Sequence, residues 1–153
     1  MWAELDEAFL VKANAQFWEP MIAMRLEPVA GSEEFCVAAG HLIGSVSLNG
    51  MWKGRIEVRL AEALALAATA AMLMQPVETV TKADALDATR EIANMLGGVI
   101  KTSLPRPCSM DVPESSVATD GLYMGPRTAD VLSVAFRHDT GALLVRIWEE
   151  ARG

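Results

Sequence analysis

The sequence is poor in cysteine, in basic residues and in long apolar runs, and each shortage excludes a class of protein. Its 153 residues contain two cysteines, Cys36 and Cys108, which are not spaced as a CxxC pair. Two separated thiols do not indicate the disulfide framework of a small secreted protein. We therefore predict reduced cysteines that fill the core of a cytoplasmic protein.

Basic residues are outnumbered by acidic ones. Thirteen Lys and Arg stand against 20 Asp and Glu, which gives a formal net charge of −7. Nucleic acids and anionic lipid surfaces attract proteins through basic surfaces. We therefore expect no nucleic acid and no membrane surface as a partner, and an acidic protein partner would have to be recognised through short-range contacts.

Long apolar runs and residues typical of metal or cofactor sites are also missing. The run 61–74 contains Glu62 and is shorter than the roughly 20 residues that a membrane span needs. The opening MWAELDEAFLVK lacks the basic and apolar regions of a signal peptide. His41 and His138 have no thiol or carboxylate at ligand spacing, and no phosphate-binding glycine motif is present. We expect no metal and no bound cofactor.

What the chain does contain is enough apolar sequence for one core. Hydrophobic residues make up 52% of it, and a chain of 153 residues is an ordinary length for one domain. We predict a single domain over residues 1–153.

Apolar spacing divides the chain into blocks of helix and blocks of strand. The predicted helices are 6–24, 61–75 and 82–104. Strands are predicted from residue 34 to 37, as a hairpin across 42–60, and at 130–137 and 142–148, with a proline-containing loop over 105–126. Because hairpins are not interleaved with helices, we predict an α+β fold, an antiparallel sheet built from hairpins with helices packed on a face.

Two turn signals complete this prediction. Asn49-Gly50 is typical of a two-residue hairpin turn, because both central positions of a type I′ turn need a positive φ. The segment HDTG, residues 138–141, has the composition of a second turn between the last two strands.

The helix 82–104 contains DALDATREIANMLGGVIKTSL, in which polar residues and glycines interrupt an apolar pattern. At about 100° per residue the interruptions share one stripe. The stripe consists of Asp84, Asp87, Glu91, Asn94, Gly98 and Lys101. The opposite side consists of Ala85, Ala88, Ile92, Met95, Leu96, Val99 and Ile100.

A solvated helix face is the plain alternative for this stripe. A solvated face gains nothing from Gly98, however, and Asn94 stands where Lys, Glu or Gln would favour the helix. Gly97 lies at the edge of the stripe and suits helix packing instead. The stripe is therefore also a candidate docking surface.

The spacing Asp87-x-x-x-Glu91-x-x-Asn94, followed by MLGG, resembles the signature helix of the CheX/CheC/FliY chemotaxis phosphatases. The order of predicted elements is similar as well, and a single copy of the motif is most similar to CheX. The first helix has Leu10 and Ala13 where a second copy would need Glu and Asn. Pro113 comes a few residues earlier than the family's proline, which indicates a shortened loop.

The resemblance implies a phosphatase that hydrolyses the aspartyl phosphate of a CheY-like response regulator. Asn94 would orient the attacking water, because a neutral amide both donates and accepts hydrogen bonds. Glu91 would pair with the regulator's lysine. Asp87, Gly98 and Lys101 would support docking. Two alternatives stay open: Asp87 could have a structural role, and Lys101 could simply be solvated. The regulator would supply Mg²⁺, so this chain would need no cofactor of its own.

Two further interpretations remain. The chain could be a non-catalytic module of the same fold that binds a signalling partner, or a homodimeric structural domain with a solvated stripe. Relatives of CheX dimerise through strands, so the resemblance also implies a homodimer through sheet edges. The strands around Phe35 or Leu143 are the candidates for an unprotected edge.

Overall fold

Three α-helices pack on one face of an antiparallel sheet in the residues that the computed structural model describes, 2–29, 35–124 and 131–150. They are α1 (Glu7–Phe17), α2 (Glu62–Leu73) and α3 (Lys82–Lys101). A π-helical turn, Trp18–Ile22, extends α1, and a 3₁₀ turn, Val77–Thr79, separates α2 from α3. All three predicted helices are confirmed, with ends that differ by a few residues.

The strands form one large sheet and a separate two-stranded ribbon. They are β1 (Glu27–Pro28), β2 (Phe35–Val37), β3 (Leu42–Gly50), β4 (Gly54–Leu60), β5 (Cys108–Met110), β6 (Glu114–Val117), β7 (Leu122–Met124), β8 (Val131–His138) and β9 (Gly141–Glu149). The large sheet has the order β1-β8-β9-β4-β3, and both β5 and β6 pair with the outer edge of β3. Strands β2 and β7 form the ribbon, and every pairing is antiparallel. The predicted α+β class is confirmed.

Side chains alternate between the two faces of the sheet, as the period of a strand requires. On the helix-covered face Val46 pairs with Ile56, which pairs in turn with Ile147, and all three are buried. Together with the apolar sides of the helices they form the main core.

The opposite face of the sheet contains a network of charged residues in which Glu57 is buried and Arg59 and Arg146 are half-buried. Glu57 is 3% exposed, and its Oε1 lies 2.5 Å from Arg59 Nε. Arg59 Nη1 donates to His41 Nε2 at 3.0 Å. Arg146 pairs in register with Glu57 and lies over the Trp148 ring, 4.5 Å from its centroid. Burial lowers the pKa of Arg146, Glu57 counteracts that shift and Arg59 adds to it.

The predicted hairpin across 42–60 is confirmed, but the predicted two-residue turn at Asn49-Gly50 is wrong. The last pair between β3 and β4 is Leu48 with Gly54, and Asn49 and Gly50 continue β3 and pair with β5. Gly50 does have a positive φ of 145°, but a Cβ atom there would lie 2.2 Å from the carbonyl oxygen of Pro107. A glycine is required at position 50 because the chain that leads into β5 passes so close to it.

The loop predicted over 105–126 is also wrong in part, because it contains β5, β6 and β7. Residues 125 and 126, together with the predicted strand ends at 34 and 130, lie outside the described residues. The remaining boundaries of the last two predicted strands agree with β8 and β9, and the HDTG segment forms the tight turn between them.

The proposed free edge at Leu143 is wrong as well. Leu143 lies in β9, between β8 and β4, and pairs with both Phe136 and Leu60. An interior strand has no edge to offer a second copy of the chain. None of the described helices combines the length and the apolar composition that a membrane span requires.

Candidate functional site

Helix α3 is held at both ends by side chains next to it in sequence. Thr81 Oγ1 accepts from the Asp84 backbone N–H at 3.1 Å, and Asp84 Oδ2 accepts from the Thr81 N–H at 3.1 Å, which forms a capping box. At the other end, the Thr102 hydroxyl donates to the Val99 carbonyl at 2.7 Å. Asp84, which was predicted on the docking stripe, is therefore used to begin the helix.

Two glycines bring α3 close to strand β3. A Cβ atom on Gly44 of β3 would lie 2.5 Å from the Thr89 carbonyl oxygen, and one on Gly97 of α3 would lie 2.9 Å from Val46 Cγ1. The buried residues of the helix are Ala85, Ala88, Thr89, Ile92, Ala93, Leu96, Gly97 and Ile100. The predicted apolar side is confirmed, with Met95 and Val99 half-buried at its margin. The predicted packing role of Gly97 agrees with its contact to Val46.

The opposite side of α3 exposes Glu91 and Asn94. Glu91 is exposed and Asn94 half-buried, and neither side chain has a hydrogen bond or ion pair within the described part of the chain. Residues at i and i+3 of a helix have Cβ atoms about 5–6 Å apart on one side. A free carboxylate and a free carboxamide therefore stand next to each other on a fixed helix.

Gly98 lies one turn beyond Asn94 and leaves the helix backbone open. Apart from its chain neighbours and the backbone of its own helix, no described heavy atom lies within 4 Å of the position that a Cβ atom on Gly98 would occupy. Gly97 and Gly98 are thus adjacent glycines in different surroundings, because one faces the sheet and the other faces open space. No contact within the described residues therefore requires a glycine at position 98.

The remaining predicted stripe residues differ in their surroundings. Asp87 is exposed and forms an ion pair with Arg90, one turn on. Its negative charge is therefore partly balanced within the helix. Lys101 is half-buried in the last turn and has no ion pair among the described residues.

A cleft of about 640 Å³ lies between the last turn of α3 and strand β5. It is lined by Gly98, Lys101 and Thr102 of the helix end and by residues 106, 107, 108 and 110. Sequence reasoning missed Arg106 in this cleft and Arg90 beside Asp87. The i,i+3 spacing of Asp87 and Arg90 could have predicted their ion pair. Nothing in the sequence around Arg106 indicates that it lies in the cleft.

This arrangement suits chemistry that a partner completes. Glu91 is exposed and Asn94 half-buried on the surface of α3, whereas a small substrate is ordinarily enclosed by its pocket. No group of three or more His, Cys, Asp or Glu residues in the described ranges could hold a metal ion. The free amide and carboxylate can instead bind water, a cation or a polar group that another protein brings to the helix.

The family model "Chemotaxis phosphatase CheX" matches residues 42–137, a range that contains all of α3. No curated protein sequence matches the chain significantly.

Several solved structures have a similar fold. CheX from Vibrio vulnificus is 19% identical with a TM-score of 0.69, covering 92% of this chain and 93% of its own. CheX from Desulfovibrio desulfuricans is 20% identical with a TM-score of 0.70, covering 92% and 96%. The structure of the CheX–CheY–BeF3–Mg²⁺ complex from Borrelia burgdorferi matches at 16% identity and a TM-score of 0.70, covering 93% and 96%. At these identities the similarity establishes the fold alone.

Proposed function

Because the chain belongs to the CheX family of chemotaxis phosphatases, we propose that it hydrolyses the aspartyl phosphate of a CheY-like response regulator. The observation that carries this proposal is the pair of free side chains, Glu91 and Asn94, one turn apart on the open side of α3. The Borrelia burgdorferi relative forms a complex with CheY. We extend that partner class to this chain as part of the proposal.

Asn94 is proposed to orient the attacking water. Hydrolysis of an acyl phosphate needs a water molecule in line with the bond that breaks, so positioning contributes much of the rate increase. A carboxamide can accept from the water and donate to a phosphoryl oxygen, and it has no negative charge to repel the phosphoryl group. The amide of Asn94 is free to donate and to accept, because no other residue in the described part of the chain forms a hydrogen bond with it.

Glu91 is proposed to bind the lysine of the regulator. An exposed carboxylate that has no ion pair with any described residue is available to a cation from a partner. One turn of helix separates this contact from Asn94, so the ion pair would fix the amide over the phosphoryl group. Glu91 then acts through docking and orientation.

The other stripe residues support the same approach in the proposal. Gly98 leaves room for the partner to come close to the helix, and Asp87, with its ion pair to Arg90, helps to shape the surface beside Glu91. Lys101 meets acidic groups of the partner. The regulator brings the Mg²⁺ that neutralises its phosphoryl oxygens, and this chain contributes the water-orienting amide and the docking charge.

The remaining proposals concern assembly and location. We propose that residues 1–153 act as one domain in the cytoplasm and form a homodimer through a sheet edge. Several edges are open in the described residues: β2 pairs with β7 alone, β5 and β6 pair with β3 alone, and the β1 segment pairs with β8 only from Ala135 to Arg137. Any of these edges could add a strand from a second copy.

The direct test follows the loss of phosphoryl label from a panel of CheY-like regulators. We expect the wild type to shorten the phosphoryl lifetime of one of them and Asn94→Ala to restore the spontaneous lifetime. Asn49→Ala is the matched control, because Asn49 Nδ2 donates to Asp111 Oδ2 at 2.7 Å within the chain, away from the helix stripe. A measurable wild-type rate that Asn94→Ala leaves unchanged would contradict the role of Asn94.

The same experiment separates the non-catalytic alternative. A module that only binds its partner would leave every phosphoryl lifetime at its spontaneous value, while Glu91→Ala would still weaken binding. A phosphatase should lose rate with both substitutions, and Glu91→Ala should act mainly on KM.

A further inference from the structure

The cleft beyond Gly98 continues the Glu91–Asn94 surface towards the C-terminal end of α3. At about 1.5 Å of rise per residue, Gly98 lies about 6 Å and Lys101 about 10 Å beyond Asn94 along the helix axis. Gly98 and Lys101 line the cleft directly. A partner that covers Asn94 and extends two turns along the helix therefore enters the cleft.

The cleft is cationic, although the protein is acidic. Lys101 and Arg106 are among its lining residues, and no Asp or Glu is among the described residues that line it. Neither cation has an ion pair or a hydrogen bond in the described part of the chain. In a chain with a formal net charge of −7, two free cations in one cleft form a local site for negative charge.

The charges along this surface are ordered. The free carboxylate of Glu91 lies near the middle of α3, the free cation of Lys101 lies in its last turn, and that of Arg106 lies beyond its C-terminal end. The walls of the cleft include Met110 and Cys108, which pack against the core with part of their surface. A partner therefore meets a carboxylate, an amide, an open glycine and then a cationic cleft with apolar walls.

We propose that the cleft binds an acidic segment of the phosphorylated regulator, with a carboxylate between Lys101 and Arg106 and an apolar side chain against Met110. This proposal rests on the proposed function, because it uses the regulator as the partner. Complementary charge fixes orientation and partner choice more than it adds affinity. The lysine of the regulator binds to Glu91, and the acidic segment of the regulator binds to the cleft. Only one orientation of the regulator on the helix makes both contacts at once.

Charge reversal tests the cleft. Binding is measured to a CheY-like regulator that has been activated with beryllofluoride and Mg²⁺. We expect Arg106→Glu to raise Kd about 10-fold and Lys101→Glu with Arg106→Glu to raise it further, with a smaller salt dependence of binding.

Arg25→Glu is the matched control. Arg25 is exposed and lies beside β1, at the sheet edge opposite β5. Five strand spacings separate the two edges, which is roughly 24 Å. The reversal changes the net charge as much as Arg106→Glu does, and we expect it to change Kd less than about 2-fold. Equal effects of the two reversals would overturn the proposal.

Cys108 provides a second readout inside the cleft. In a Cys36→Ser background Cys108 is the one cysteine left in the sequence, so maleimide labelling reports on the cleft alone. We expect the activated regulator to slow this labelling several-fold, and labelling that stays unchanged in the saturated complex would overturn the proposal. Failure of the proposed catalytic role can be distinguished from failure of the cleft proposal. If only the catalytic role is wrong, Asn94→Ala leaves the rate unchanged while Arg106→Glu still weakens binding. A wild type that binds no activated regulator would overturn both.

Discussion

Gly44 of β3 lies directly under the carbonyl oxygen of Thr89 in α3, so that a Cβ atom on Gly44 would lie 2.5 Å from it. The Ala93 Cβ would be 3.1 Å away on the same side. Backbone of a buried helix cannot move aside as the end of a flexible side chain can. This glycine therefore sets how closely the helix that bears Glu91 and Asn94 rests on the sheet.

Gly44→Ala should destabilise the protein by about 2 kcal/mol or more, because the added methyl group overpacks the interface between α3 and β3. The measurement is urea unfolding of both proteins at one temperature. An unfolding free energy equal to that of the wild type would show that α3 can lift from the sheet without cost.

Gly98→Ala, in contrast, should stabilise the protein. Its Cβ atom would meet no other atom within 4 Å, and alanine favours a helix interior over glycine by about 1 kcal/mol. We expect a protein that is more stable by up to about that amount but has a kcat/KM roughly 10-fold lower, since the methyl group occupies the space that the regulator needs. Raised stability with unchanged kcat/KM would mean that no partner approaches the helix there.

Thr81→Ala should cost about 1 kcal/mol of unfolding free energy, because it removes the side-chain acceptor of the capping box. Thr81→Ser retains the hydroxyl and should recover most of the loss. Below the unfolding transition both variants should dephosphorylate the regulator at the wild-type rate. A large rate loss in Thr81→Ala that Thr81→Ser did not rescue would indicate that Thr81 itself meets the partner.

Glu57→Gln should destabilise the protein by about 3 kcal/mol, because Gln has the same shape but leaves the Arg59 and Arg146 cations without their carboxylate. Losing Glu57 should also lower the pKa of Arg146 further, since the carboxylate is what opposes the lowering by burial. Glu114→Gln, at an exposed position, is the control and should unfold like the wild type. Equal midpoints for the two variants would contradict a stabilising role for the network.

Sequence reasoning succeeded where the deciding interactions are local. The period of α3 separated Asp87, Glu91, Asn94 and Gly98 from the buried side because a helix of 20 residues repeats its pattern many times. The hairpin of β8 and β9 followed from two alternating strands and a turn between them. The spacing of Asp87, Glu91 and Asn94 also led to the correct family.

Sequence reasoning failed where contacts join distant segments. Gly50 has the positive φ that a turn signal predicts, but the chain near Pro107 is what requires it, more than 50 residues later. Strands β5 and β6 contain three and four residues, too few for alternation to distinguish them from a loop. Arg106 joins Lys101 only because β5 returns to β3 beside the helix end, so the cationic cleft has no local signal.

The central claim is that Asn94 acts on the phosphoryl group and does not simply hold the partner. Its most direct test is a single-turnover measurement with Asn94→Ala at a concentration that saturates the phosphorylated regulator, with binding to the beryllofluoride-activated form measured in parallel. We expect a Kd within about 3-fold of the wild type, which is less than 1 kcal/mol, and a phosphoryl lifetime equal to the spontaneous one. A saturated Asn94→Ala complex that still dephosphorylates at the wild-type rate would contradict it.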